Sequence, residues 1–333
     1  MRTIVGYLRD HLAGSLRFHA VFLAVMAVAI AANYRFDFEA RSVEAIDSEW
    51  ARAAAYAAFY GVPYFGVLGL TSWLGGRTDF WTRPGFWLTS LGGLVLFSVY
   101  ASTLAYRDVA DALAPPELRS FARKCTFNTL RPLVAAVPLF LVWLARDRAL
   151  AFEVKGKGVA VAPRRGGAGW TPFLYGFSVM HFRWKPYAAM LAIVAPLIVA
   201  ASFGEDFIQY YPRFWPTSEP ALTGAPGWAY QVAFELCYGV DFVFTELFFR
   251  GFLIVGMLRY LGKDAVAPMV GWYAFIHFNK PLLESVGAVC GGFVLGVIAC
   301  RTLSIYGGVM IHLGVAYLME LAAIGQRIFH NQG

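Results

Sequence analysis

Charge is scarce in this chain: 15% of its 333 residues are Asp, Glu, Lys or Arg, against 59% hydrophobic residues and a mean hydropathy of +0.55. A soluble domain is about 45–50% apolar and about 25% charged, so this composition excludes an ordinary soluble fold and predicts a multi-span membrane protein. Cysteine is sparse as well. The four, Cys125, Cys237, Cys290 and Cys300, show neither C-x-x-C spacing nor histidines at zinc-ligand intervals, and three lie in or beside apolar runs as small packing residues. Missing too are H-E-x-x-H, the spacing of a nucleotide-binding loop and any convincing internal repeat. No small-residue cleavage site follows the first apolar run, which reads as a retained span. The net charge of +7 concentrates between apolar runs, as cytoplasmic loops require, so no nucleic acid is expected as a partner.

What is present is long apolar sequence. A span needs about 20 mainly apolar residues, and the candidates fall near 18–33, 53–74, 86–105, 132–145, 187–204, 228–258, 265–279, 282–300 and 304–323. The expected fold is all-α, a polytopic transmembrane bundle of about 8–9 spans in the lipid bilayer. Ten tryptophans and seventeen tyrosines suit a chain with two water–lipid interfaces. The loop 146–185 is rich in Arg146, Arg148, Lys155, Lys157, Arg164, Arg165, Arg183 and Lys185, the strongest cytoplasmic signal in the chain. The loops 34–52 and 205–226 are acidic and fit the outer side. Nine spans with a cytoplasmic N-terminus satisfy all three loops. Within 146–185, the stretch KGKGVAVAPRRGGAGW reads as a flexible linker. It separates an N-terminal part, 1–185, from a C-terminal bundle, 186–333.

That C-terminal bundle holds polar residues that hydrocarbon disfavours. Glu246 and Arg250 stand one helical turn apart in DFVFTELFFRG, with the acid first, the better order for an ion pair. Taken alone, they would only neutralise each other. Two further apolar segments each carry a histidine, His277 at the end of YAFIH and His312 in IHLGVAYLME. Ionisable groups inside spans mark a functional site by default. At 1.5 Å per residue, Glu246 and His277 lie about 26 and about 20 Å from the polar turn at Gly262, which would put them at similar depth on antiparallel neighbours. Gly287, Gly291, Gly292 and Gly296 form two small-xxx-small pairs expected to draw helices together.

In this order the three segments resemble the CPBP family of intramembrane proteases, which includes CAAX prenyl endopeptidases of the Rce type. That family carries E-E-x-x-x-R, then F-x-x-x-H, then H-x-x-x-N or H-x-x-x-D. Here the first motif runs from Thr245 to Arg250, followed by the usual glycine at Gly251; the second runs from Tyr273 to His277, and the third from His312 to Ala316. The likeness covers about 228–323. Thr245 replaces the family's first glutamate, and Ala316 its final Asn or Asp. Glu284 and Glu320 are the candidates to compensate, since they follow His277 and His312 at intervals near whole turns. Glu284 has a simpler role available in the first turn of a helix opened by Pro281, and Glu320, near the end of the last span, has interfacial water as its simpler partner.

The resemblance implies peptide hydrolysis of a membrane-embedded, membrane-adjacent or lipid-anchored protein, by a multi-pass protein of the bacterial inner membrane. Hydrolysis needs a base for water, a stabiliser for the oxyanion and a proton for the leaving amine. Glu246 is the leading base, His277 and His312 fit the other two roles, and Arg250 orients Glu246. No cofactor is expected; zinc on Glu246, His277 and His312 is the older reading of the family. The alternative is a catalytically inactive member of the fold that binds transmembrane segments or assists assembly, which Thr245 and Ala316 favour. A small-solute transporter with a Glu/His proton relay would fit the charges but not the ordered motifs.

Overall fold

A chain in hydrocarbon must satisfy its own N–H and C=O groups, so long apolar windows fold into helix. The computed structural model describes residues 2–13, 15–155, 158–163, 170–179, 182–216, 222 and 224–330. Lys157, Arg164 and Arg165 of the basic stretch lie outside them. In chain order come α1 (Arg2–Leu12), α2 (Leu16–Phe36), α3 (Glu49–Gly75), α4 (Pro84–Ser102), α5 (Ala105–Leu113) and α6 (Arg119–Val142). A hairpin β1 (Leu150–Lys155) and β2 (Gly158–Pro163) follows, then α7 (Trp184–Ala201), α8 (Glu205–Tyr210), α9 (Gly227–Glu246), α10 (Leu258–Leu261), α11 (Val266–Phe275), α12 (Leu282–Thr302) and α13 (Tyr306–His330). Among the described residues seven helices are long and apolar enough to cross a membrane: α2, α3, α4, α6 with its flanking turns, α7, α12 and α13. The protein is an all-α polytopic membrane protein.

The two remaining expected spans, 228–258 and 265–279, take another form. Helix α9 carries Glu235, Asp241 and Glu246 and stops at Glu246. A π-type turn over Leu247–Phe252 and a 3-10 turn over Val255–Met257 follow before α10. Irregular backbone at membrane depth is tolerated only where protein encloses it, and every residue from Leu247 to Phe252 is buried. Helix α11 has ten residues, about 15 Å of rise, half the roughly 30 Å hydrocarbon thickness. It is apolar all round, as a core helix should be.

By contact the chain divides into two units. The first is Met1–Ser102, Pro138–Arg183 and Glu246–Gly308; the second is Thr103–Val137, Trp184–Thr245 and Val309–Gly333. In the first unit α11 packs between α3 and α12. Its Trp272 is fully buried against Tyr60, Tyr64, Phe97, Phe248 and Phe249. The glycines of α12 divide unevenly. A Cβ on Gly296 would meet Met269 Cε at 2.8 Å and one on Gly292 would meet Tyr273 Cδ1 at 3.0 Å, whereas Gly287 and Gly291 face open space. One small-xxx-small pair, not two, therefore brings α12 against α11. The expected linker also contains structure: β1 pairs antiparallel with β2, Phe152 is buried and bridges to Trp170, and β2 packs on α10 and α12. Alternating small and branched residues there favour extended pairing over a free linker.

In the second unit, Phe214, Tyr230, Phe234, Tyr238, Phe242 and Ala316 form one apolar cluster. Arg131 of α6 lies 3.9 Å from Asp241 of α9 and stacks on the Phe127 ring at 3.6 Å.

Candidate active site

The first functional pair forms where α9 ends. Glu246 Oε1 lies 3.0 Å from Arg250 Nη1, with the side chains 0% and 1% exposed. A pair so completely removed from water is weak evidence for stability, because the desolvation cost rivals the Coulombic gain. Its retention therefore points to use. The π-type turn begins directly after the carboxylate, a form common at functional sites because it redirects a few side chains without ending the helix. Gly251 follows Arg250 because Tyr175 leaves no room: a Cβ there would meet Tyr175 Cβ and O, each at 3.2 Å.

The backbone of α13 begins against this carboxylate. A Cβ at Gly308 would sit 1.9 Å from Glu246 Oε2, so only glycine permits the observed approach. Gly308 precedes His312 by one turn on α13. A glycine one turn before a site histidine is the signal that could have flagged it in sequence.

Tyr273 connects the pair to the first histidine. The Arg250 guanidinium carbon lies 4.1 Å from the centroid of the Tyr273 ring, a cation–π contact, and the Tyr273 and His277 rings are 4.5 Å apart. His277 is buried on the turn just beyond α11. Its Nδ1 lies 2.8 Å from Tyr273 O. A carbonyl only accepts, so Nδ1 carries the hydrogen. Glu246, Arg250, Tyr273 and His277 thus form one contiguous line of side chains in the first unit. In the sequence Tyr273 is only a motif position; its place where the family carries Phe is the signal that marks it.

The other expected residues have these neighbours. Glu284 stands in the first turn of α12, 2.7 Å from Lys280 Nζ. His312 belongs to the second unit, where its ring is 4.5 Å from that of Phe242. Glu320 is also in the second unit, with its two carboxylate oxygens accepting from the Arg213 N–H at 2.9 and 3.1 Å. Thr245 is buried, and Ala316 is part of the aromatic cluster around Phe242. Among the described residues no group of three or more His, Cys, Asp or Glu side chains is placed to hold a metal ion.

No curated protein and no solved structure matches the chain. Residues 225–318 match the family model described as type II CAAX prenyl endopeptidase Rce1-like. The matched stretch holds Glu246, Arg250, Tyr273, His277, Gly308 and His312, and stops before Glu320. Over these residues the chain is similar to the Rce1-like endopeptidases of the CPBP family.

Proposed function

We propose that the chain is an intramembrane endopeptidase in which a glutamate-activated water cleaves a membrane-embedded, membrane-adjacent or lipid-anchored polypeptide. The observation that carries the reading is the fully buried Glu246–Arg250 pair at a broken helix, joined through Tyr273 to His277. Arg250 pairs with Oε1, and the carboxylate, whose Oε2 lies beside Gly308, is assigned to take the proton from water as it attacks the scissile carbonyl. His277, with its Nδ1 hydrogen held by Tyr273 O, is suited to carry a proton on Nε2 and return it to the leaving amine. On motif order alone, His312 is assigned to the developing oxyanion. Glu284 and Glu320 are assigned no step, since Lys280 and the Arg213 N–H give them structural roles.

The family description names CAAX prenyl endopeptidases, so a quenched farnesylated CAAX peptide is the first probe, followed by single-span membrane polypeptides. The test is mass spectrometry of products formed by the full chain in proteoliposomes. A defined cleavage site, lost in H277Q, supports the reading. Uncleaved probe retained on the protein supports the rival, an inactive binder of membrane segments, which the apolar packing of Ala316 at the family's Asn or Asp position favours. For topology we propose the N-terminus and 146–185 inside and 205–226 outside, in a bacterial inner membrane.

A further inference from the structure

The chain leaves α11 at Phe275 and turns through the buried His277 and Phe278 before entering α12. Buried carbonyls in such a turn need partners. Three residues of the turn find them in side chains, and a fourth, Asn279, is held through its own side chain. Ser285 Oγ donates to His277 O. Asn33 Nδ2 donates to Phe278 O at 3.1 Å, Asn279 Nδ2 donates to Glu44 Oε1 at 2.6 Å, and Tyr34 Oη donates to Lys280 O at 2.5 Å while lying 2.6 Å from Ser285 Oγ. Asn33 is itself oriented, because Glu39 N–H donates to its Oδ1 at 3.0 Å. Three of the four partners come from the end of α2 and the segment after it, 235 to 246 residues away in sequence and outside the matched stretch 225–318.

An asparagine inside an apolar span is costly unless every polar atom is used. Here both ends of the amide are used, and on the turn that carries the site histidine. That turn also decides whether His277 Nδ1 reaches Tyr273 O, the bond that fixes the ring's tautomer. A hydrogen-bonded support behind a site histidine sets its orientation and the proton it presents.

We infer that Asn33 and Tyr34 of α2, with Ser285 of α12, form a clamp that positions His277 for proton transfer. They are positioning residues, and the inference rests on the protease reading for its kinetic consequence but not for its structural one. The separation can be measured. The full chain, labelled with ring-13C histidine and held in lipid nanodiscs, gives six histidine signals, of which H277Q identifies one. In Y34F, which deletes a single hydroxyl, and in N33A, the His277 signal should shift and broaden as both tautomers are sampled, while the His19 signal stays in place. On the farnesylated peptide kcat should fall roughly tenfold to a hundredfold, with KM within about twofold, the pattern of a misplaced catalytic group and not of lost binding.

An unmoved His277 signal in Y34F and in N33A overturns the clamp, whatever the activity. A moved signal with unchanged kcat in an active parent overturns it as well. Should N33A fail to fold, Y34F and S285A carry the same two readouts. If the wild type cleaves nothing, the protease reading fails, and the signal shift still decides whether the clamp exists.

Discussion

Helix α7 and the segment from Glu246 through α11 are similarly apolar, yet they are built differently. In α7, 11% of the spanning window is buried, and the helix runs unbroken over 18 residues. From Leu247 to Phe275 the backbone passes through a π-type turn, two 3-10 turns and two short helices, with most residues buried. A lipid-facing segment must satisfy its own backbone and so stays helical; an enclosed one can break, because neighbouring protein supplies partners and apolar contacts. The break is where the ion pair and His277 are found. Enclosure is thus what allows charge and irregular backbone in the same place.

The comparison can be broken most severely at the pair. E246Q leaves a buried guanidinium without its counter-charge and should cost about 3–5 kcal/mol of stability. The double variant E246Q/R250Q, with no buried charge, should regain most of the loss. Denaturation in mild detergent reads both; an E246Q variant as stable as the parent would show that the pair is not enclosed as described.

Next is Gly308. G308A places a methyl where the Glu246 carboxylate now sits, so it should lower kcat by roughly a hundredfold through a misplaced base, with about 1–3 kcal/mol of overpacking cost. Parent-like turnover in G308A would mean that the carboxylate need not approach α13.

The glycines of α12 give a smaller, paired test. G296A, which would press on Met269, Val266 and Ile254, should destabilise by about 1–3 kcal/mol. G291A faces open space and should be neutral or stabilise by about 0.4–1 kcal/mol through helix propensity and chain entropy. Equal effects in thermal denaturation would contradict one-sided packing.

The smallest effect concerns Glu39, outside the spans. Burial first, and the Glu44 carboxylate second, push its pKa from 4.5 up to about 8. An acid whose pKa is raised by folding contributes stability that is complete below about 4.5 and lost as pH rises through about 8. E39Q should therefore flatten the fall in Tm between pH 6 and 9, by roughly 2–4 °C at the alkaline end. A parallel curve for E39Q would refute that titration.

Hydropathy made the regular spans legible, since length and composition decide them. The break after Glu246 was not, because a π-type turn is set by what encloses Phe248, Phe249 and Arg250 and leaves the apolar run DFVFTELFFRG unchanged. Glu246, Arg250 and His277 stood out because their chemistry is costly in lipid. Their line of contact through Tyr273 depends on tertiary packing that spacing alone does not specify. Asn33 carried a readable signal, a lone amide in an apolar span, but its partner at Phe278 lies 245 residues away. The hairpin at Leu150–Lys155 was hidden because its glycine- and arginine-rich surroundings resemble a linker, although Val159 and Val161 alternate as a strand requires.

The most direct test of the account is cleavage of the farnesylated CAAX peptide, or of the first membrane polypeptide that the wild type cuts, by E246Q/R250Q in proteoliposomes. The account predicts a folded variant with parent-like thermal stability and turnover reduced at least about a hundredfold, because the amide pair keeps the packing and cannot accept the proton of water. Wild-type turnover by that variant would contradict it.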